Sequence, residues 1–154
     1  MQAVNRWRGQ LVHVFTRGEA AVSETLLMLA GTECKSKAVR LRHLGGQRME
    51  DLLAAVSPGG PCEAVGKEAA VALTAFREHE DLRSFVCHGL AHVWLGRNGE
   101  WAVSLETLAF RSGRAERKIK FVRQTEAEAL ARDMRRRCQR LEVELTRLRA
   151  AAGS

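Results

Sequence analysis

The chain has 154 residues, 45% of them hydrophobic, and carries a formal net charge of +7 with arginine well in excess of lysine. That length and apolar content suit one ordinary core, so residues 1–154 read as a single domain. No apolar stretch approaches the length of a membrane span, which excludes a spanning helix, and four scattered cysteines without CxxC pairs exclude the usual zinc sites.

The first ten residues carry Asn5, Arg6, Trp7 and Arg8 and no apolar leader core, so the expected location is the cytoplasm. Cys34, Cys62, Cys87 and Cys138 are then expected as free thiols, mostly buried. Much of the positive charge falls between Arg111 and Arg149. Such asymmetry points to a polyanion as partner, while a solvated basic helix face is the plainer account.

In chain order, Trp7, Leu11, Val14, Phe15, Gly18, Ala21, Val22, Leu26 and Leu29 recur at helical spacing and predict one long helix to about Ala30, closed by Gly31. A second helix is expected from an N-cap near Ser36, with Val39, Leu41 and Leu44 in its first part. Gly45-Gly46 should break or kink it before Met49, Leu52, Leu53 and Val56, and Ser57-Pro58-Gly59-Gly60-Pro61 is a loop. A third helix is expected from Cys62 or Glu63 through Ala69, Ala72, Leu73 and Phe76 as far as His88.

After Gly89 the period changes to two. Val93 and Leu95, the turn Asn98-Gly99, and Trp101, Val103 and Leu105 predict a hairpin. A turn at Arg111-Ser112-Gly113 leads to a third strand containing Ile119 and Phe121. Thr125 with Glu128 reads as a capping box opening a helix to about Ala150. Its stripe of Leu130, Met134, Cys138, Leu141, Leu145 and Leu148 either packs into its own chain or joins a partner helix.

The run Arg83-Ser84-Phe85-Val86-Cys87-His88-Gly89 holds a permanent cation and a group that titrates near neutrality. Five residues apart on a regular helix, Arg83 and His88 point about 140° apart, so one undistorted helix cannot aim both at one substrate.

At these residues the chain resembles the HEPN superfamily, small helical bundles marked by an Arg-x4-6-His motif near the end of a core helix. Here the motif reads RSFVCHG, followed by the hairpin LAHVWLGRNGEWAVSLE and a last helix. The likeness covers roughly residues 65–148, and its specific part is the Arg, His and Gly core. It departs from the family at Ser84, where asparagine is common. The fold it implies is mainly α: an up-and-down bundle of about four to five helices with a small antiparallel hairpin or three-stranded meander before the C-terminal helix.

The resemblance implies a metal-independent endoribonuclease, toxin-like or defence-related, which uses the RNA's own 2′-hydroxyl as nucleophile and needs no cofactor. His88 would act as general acid or base, Arg83 would stabilise the phosphorane-like charge, Ser84 would orient one of them, and Glu80 would fix the guanidinium. A homodimer would complete the cleft. RNA and an antitoxin protein are the partners implied, with no membrane. The alternative is a non-catalytic module that binds RNA or a protein partner. A purely structural account of the same residues pairs Arg83 with Glu80 or with a carboxylate on another helix and has His88 capping the end of its helix.

Other candidates are Trp94, to stack a base or, with Trp101, to seal the bundle, and Arg132, Arg135, Arg136, Arg137 and Arg140, to follow a phosphate backbone. Cys87, His88 and His92 lack a fourth ligand at metal spacing, and His13, His43 and His79 read as surface or helix-face residues. A third account makes the chain a structural helical protein paired through Leu141, Leu145 and Leu148.

Overall fold

The computed structural model describes residues 1–31, 42 and 44–153. Among them the order is α1 (Gln2–Leu29), α2 (Gly45–Val56), α3 (Glu63–Arg77), α4 (Glu80–His88), β1 (Leu90–Leu95), β2 (Trp101–Arg111), β3 (Arg114–Arg123) and α5 (Gln124–Ala152). The chain is mainly helical, with a three-stranded antiparallel meander before the last helix, as expected. No described helix is long and apolar enough to cross a membrane. Two compact units form, one from Met1–Val14 with His79–Met134, the other from Phe15–Glu78 with Arg135–Ser154.

In the first unit, the start of α1 presents Val4, Trp7, Leu11 and Val14 at helical spacing, and all four are buried. They share that burial with Leu82 and Val86 of α4, Trp101, Val103 and Leu105 of β2, Val122 of β3, and Ala127, Ala131 and Met134 of α5. The Trp7 indole N–H donates to the Ala127 carbonyl at 2.8 Å, and its ring meets Trp101 with centroids 5.9 Å apart. A buried indole thus keeps its one donor satisfied, which removes the main cost of burying tryptophan.

The meander has order β1-β2-β3, with Val93 opposite Val103 and Val103 opposite Val122. Strand side chains alternate, so this register sends Val103, Leu105, Trp101 and Val122 inward. The second turn has two residues, Ser112 at φ 50° and Gly113 at φ 76°, the positive pair that suits the right-handed strand twist.

In the second unit, α2 and α3 pack as a helical pair joined through Ser57–Pro61. Met49, Leu52, Ala55 and Val56 of α2 are buried, as are Ala69, Ala72, Leu73 and Phe76 of α3. Phe15, Val22, Leu26 and Leu29 of α1 and Cys138, Leu141, Leu145 and Leu148 of α5 complete this core. Phe15 meets Phe76 edge-on with centroids 5.9 Å apart.

Four expectations are corrected. The stretch from Glu63 to His88 is two helices, not one, interrupted at Glu78 and His79. Arg137 donates to the Ala75 carbonyl at 2.7 Å and pairs with Glu78 at 2.6 Å, satisfying the last turn of α3 where an unbroken helix would have bonded itself. Leu44, expected in the first part of the second helix, is extended and precedes α2, which starts at the Gly45-Gly46 pair where a break was expected. The capping box does not form at Thr125, which lies within α5; Gln124 instead ties the start of the helix to the sheet, its Oε1 accepting from the Trp101 N–H at 3.3 Å and its Nε2 donating to Glu128 at 3.1 Å. Leu141, Leu145 and Leu148 are buried by their own chain and cannot supply a helix-pairing interface. The expected start near Ser36, with Val39, Leu41, Cys34 and His43, lies outside the described residues.

Candidate functional site

The motif occupies α4, whose buried face is Leu82 and Val86. Glu80 and Asp81 supply acid in its first turn, favourable beside the unbonded N–H groups there. Arg83 is half-buried, whereas Glu80, Ser84 and His88 are exposed. Helical spacing puts Glu80, Ser84 and His88, successive at four residues, on one exposed stripe, with Arg83, three residues after Glu80, on the other side of Glu80 from it. With α4 regular from Glu80 to His88, Arg83 and His88 remain about 140° apart, and a single chain does not bring them together.

The end of α4 is held by a residue the sequence did not single out for this role. Arg8 of α1 donates through Nη2 to the carbonyls of Val86 at 2.9 Å and Gly89 at 3.0 Å, and through Nε to Val86 at 3.3 Å. A guanidinium therefore sits at the negative end of the helix dipole, the place expected for His88 in the capping account. No local pattern announces it, because donor and acceptors are about eighty residues apart.

Gly89 has ordinary extended dihedrals, φ −72° and ψ 135°, so it does not stop the helix by left-handed geometry. Space explains the glycine better: a Cβ there would lie 2.3 Å from the Phe85 carbonyl oxygen and 3.3 Å from Leu105 Cβ. The same approach fixes α4 on the inward face of β2.

Trp94 and Trp101 part company. Trp101 is buried, but Trp94 is 51% exposed and leans on Phe121, ring centroids 5.9 Å apart, over Ala102 and Ser104 of the middle strand. A cleft of about 410 Å³ lined by Trp94, Asn98, Glu100, Trp101, Arg123 and Gln124 opens at this end of the sheet.

Arg132 in the first unit and Arg135, Arg136 and Arg140 in the second are all exposed along α5. Arg140 approaches Glu68 only to 3.7 Å. Arg137 is withdrawn from the expected phosphate-facing set by its bonds to Ala75 and Glu78. His79, expected on the surface or a helix face, precedes α4 and stands half-buried with Nε2 3.4 Å from an Asp133 oxygen. Cys62 and Cys138 are buried and Cys87 half-buried, all three free thiols. Among the described residues no group of three or more histidines, cysteines or carboxylates could hold a metal ion.

Comparison of the chain with protein-family models, with curated proteins and with solved structures returns no match.

Proposed function

We propose that the chain is a HEPN-like module that binds RNA without cutting it. One observation carries the reading: α4 turns Arg83 and His88 about 140° apart, so the phosphate clamp and the acid-base group of a cleavage site do not meet in the chain. RNA is favoured as ligand by the net charge of +7 and by the exposed arginines of α5. Binding of this kind draws its free energy from counterion release and weakens steeply with salt.

A second reading is cleavage in a cleft shared by two copies, and the exposed stripe of Ser84 with His88 favours it. There His88 of one copy would move the proton while an Arg83 from the other neutralised the phosphate. Incubation of single-stranded RNA with the protein in EDTA separates the two. Bound, full-length RNA supports the binding module; fragments made by wild type and not by His88→Ala support the shared cleft.

A further inference from the structure

The outer face of the meander is apolar where a solvated sheet would be polar. Register puts Leu90, His92 and Trp94 of β1, Ala102, Ser104, Glu106, Leu108 and Phe110 of β2, and Ala115, Arg117, Ile119, Phe121 and Arg123 of β3 on the side opposite Val103 and Leu105. Six of these are large apolar side chains between 51% and 78% exposed: Leu90, Trp94, Leu108, Phe110, Ile119 and Phe121. Solvated antiparallel sheets alternate apolar-in with polar-out, and contiguous exposed apolar patches of this kind mark interfaces.

We propose that this outer face pairs with the same face of a second copy of the chain. Three observations select that occupant. The first is area: six large side chains more than half exposed offer on the order of 700 Å², close to the ~800 Å² per partner of a stable interface. The second is charge. Glu106 neutralises Arg117 at 3.1 Å, leaving Arg123 as the face's other formal charge, while Lys118 and Lys120 alternate to the opposite side. Two such faces approach with little repulsion, whereas a polyanion would find few cations there.

The third observation is the shape of the sheet. β1 ends its pairing at Glu106, but β2 and β3 continue for five more pairs, from Thr107 with Lys118 to Arg111 with Arg114. This projecting two-stranded ribbon carries Leu108 and Phe110 at 60% and 78% exposure. A two-stranded ribbon alone is marginal in water and gains stability from a third layer. Face-to-face packing across a twofold axis supplies that layer to both copies at once, each ribbon reaching over the partner's Ile119 and Phe121 region.

The pairing rests on the binding reading in one respect. α4 lies on the inward face of β2, so both sheets, about 10 Å apart, would stand between the two motif helices, and no cleft shared by Arg83 and His88 forms across this interface.

The test is the mass of the full chain in solution by light scattering at tens of micromolar, for wild type and for Leu108→Thr/Phe110→Thr/Ile119→Thr. Threonine keeps strand propensity at positions already exposed, and circular dichroism checks that the fold is retained. The proposal expects wild type at twice 17.1 kDa and the variant at 17.1 kDa, with at least a tenfold weaker self-association. A monomeric wild type overturns it, as does a variant that stays dimeric. Loss of RNA binding by the variant from a monomeric wild type would assign the face to RNA instead. A monomer that binds intact RNA sinks the pairing and leaves the proposed function; a wild-type dimer that fails to bind RNA and becomes monomeric with the triple substitution keeps the pairing and sinks the proposed function, and a dimer that cuts RNA through Arg83 and His88 overturns both.

Discussion

The guanidinium of Arg8 bonds the carbonyl of Val86 at 2.9 Å and that of Gly89 at 3.0 Å, tying the first helix to the end of the motif helix. This relationship decides how His88 is presented. With the helix end already satisfied, the imidazole is not needed as a cap and stays exposed on the stripe it shares with Ser84.

Arg8→Ala should therefore destabilise the chain by about 1.5–3 kcal/mol, the range for hydrogen bonds from a charged donor to partly buried acceptors. Arg8→Lys should recover part of it, since a point charge still suits the helix end but cannot fork to two carbonyls. Urea unfolding measures both. An Arg8→Ala chain as stable as wild type would mean that the carbonyls find other partners at no cost.

Gly89→Ala and Gly9→Ala form a matched pair. At Gly89 the new methyl would meet the Phe85 carbonyl at 2.3 Å, and a loss of about 1–3 kcal/mol is expected from the forced shift. At Gly9, inside α1, nothing lies within 4 Å, so alanine should stabilise by about 0.5–1 kcal/mol through helix propensity. Equal unfolding midpoints for the two variants would contradict the steric account.

Cys138 predicts a pH dependence. Burial pushes its thiol up from about 9 to about 11, with Glu142 adding to the shift and Arg17 opposing it. Above the unfolded value the unfolded chain ionises this thiol while the folded chain keeps it neutral, so its contribution is whole below about pH 9 and is lost as pH rises toward 11. Wild type should lose stability more steeply over that window than Cys138→Ala. Parallel curves would place the thiol in a more polar setting than its burial implies.

Much of the fold was legible because it rests on short-range pattern. Trp7 to Leu29 kept helical period, Asn98-Gly99 and Ser112-Gly113 marked their turns, and the switch to period two after Gly89 located the meander. The break between α3 and α4 was missed because the apolar stripe runs through it. The pertinent signals were the charges, Arg77 closing one helix and Glu80-Asp81 opening the next. Leu130 was assigned to the buried stripe, yet Ala127 and Ala131 carry the burial at that end of α5, where small residues admit the ring of Trp7.

The candidate site was legible as residues and not as geometry. RSFVCHG could be read directly, and its angular separation followed from helical period. Arg8 could not, because its role depends on acceptors brought close by the tertiary fold. The outer sheet face was half visible: β1 reads LAHVWL, apolar on both sides, which is the pattern of a strand covered twice.

The central claim is RNA binding without cleavage. Its most direct test is one titration of labelled single-stranded RNA in EDTA at low and high salt, followed by anisotropy, with the RNA recovered and sized. The account predicts binding that weakens at least tenfold between 50 and 200 mM salt, with full-length RNA recovered from wild type and from His88→Ala alike. Fragments produced by wild type and absent with His88→Ala would contradict it.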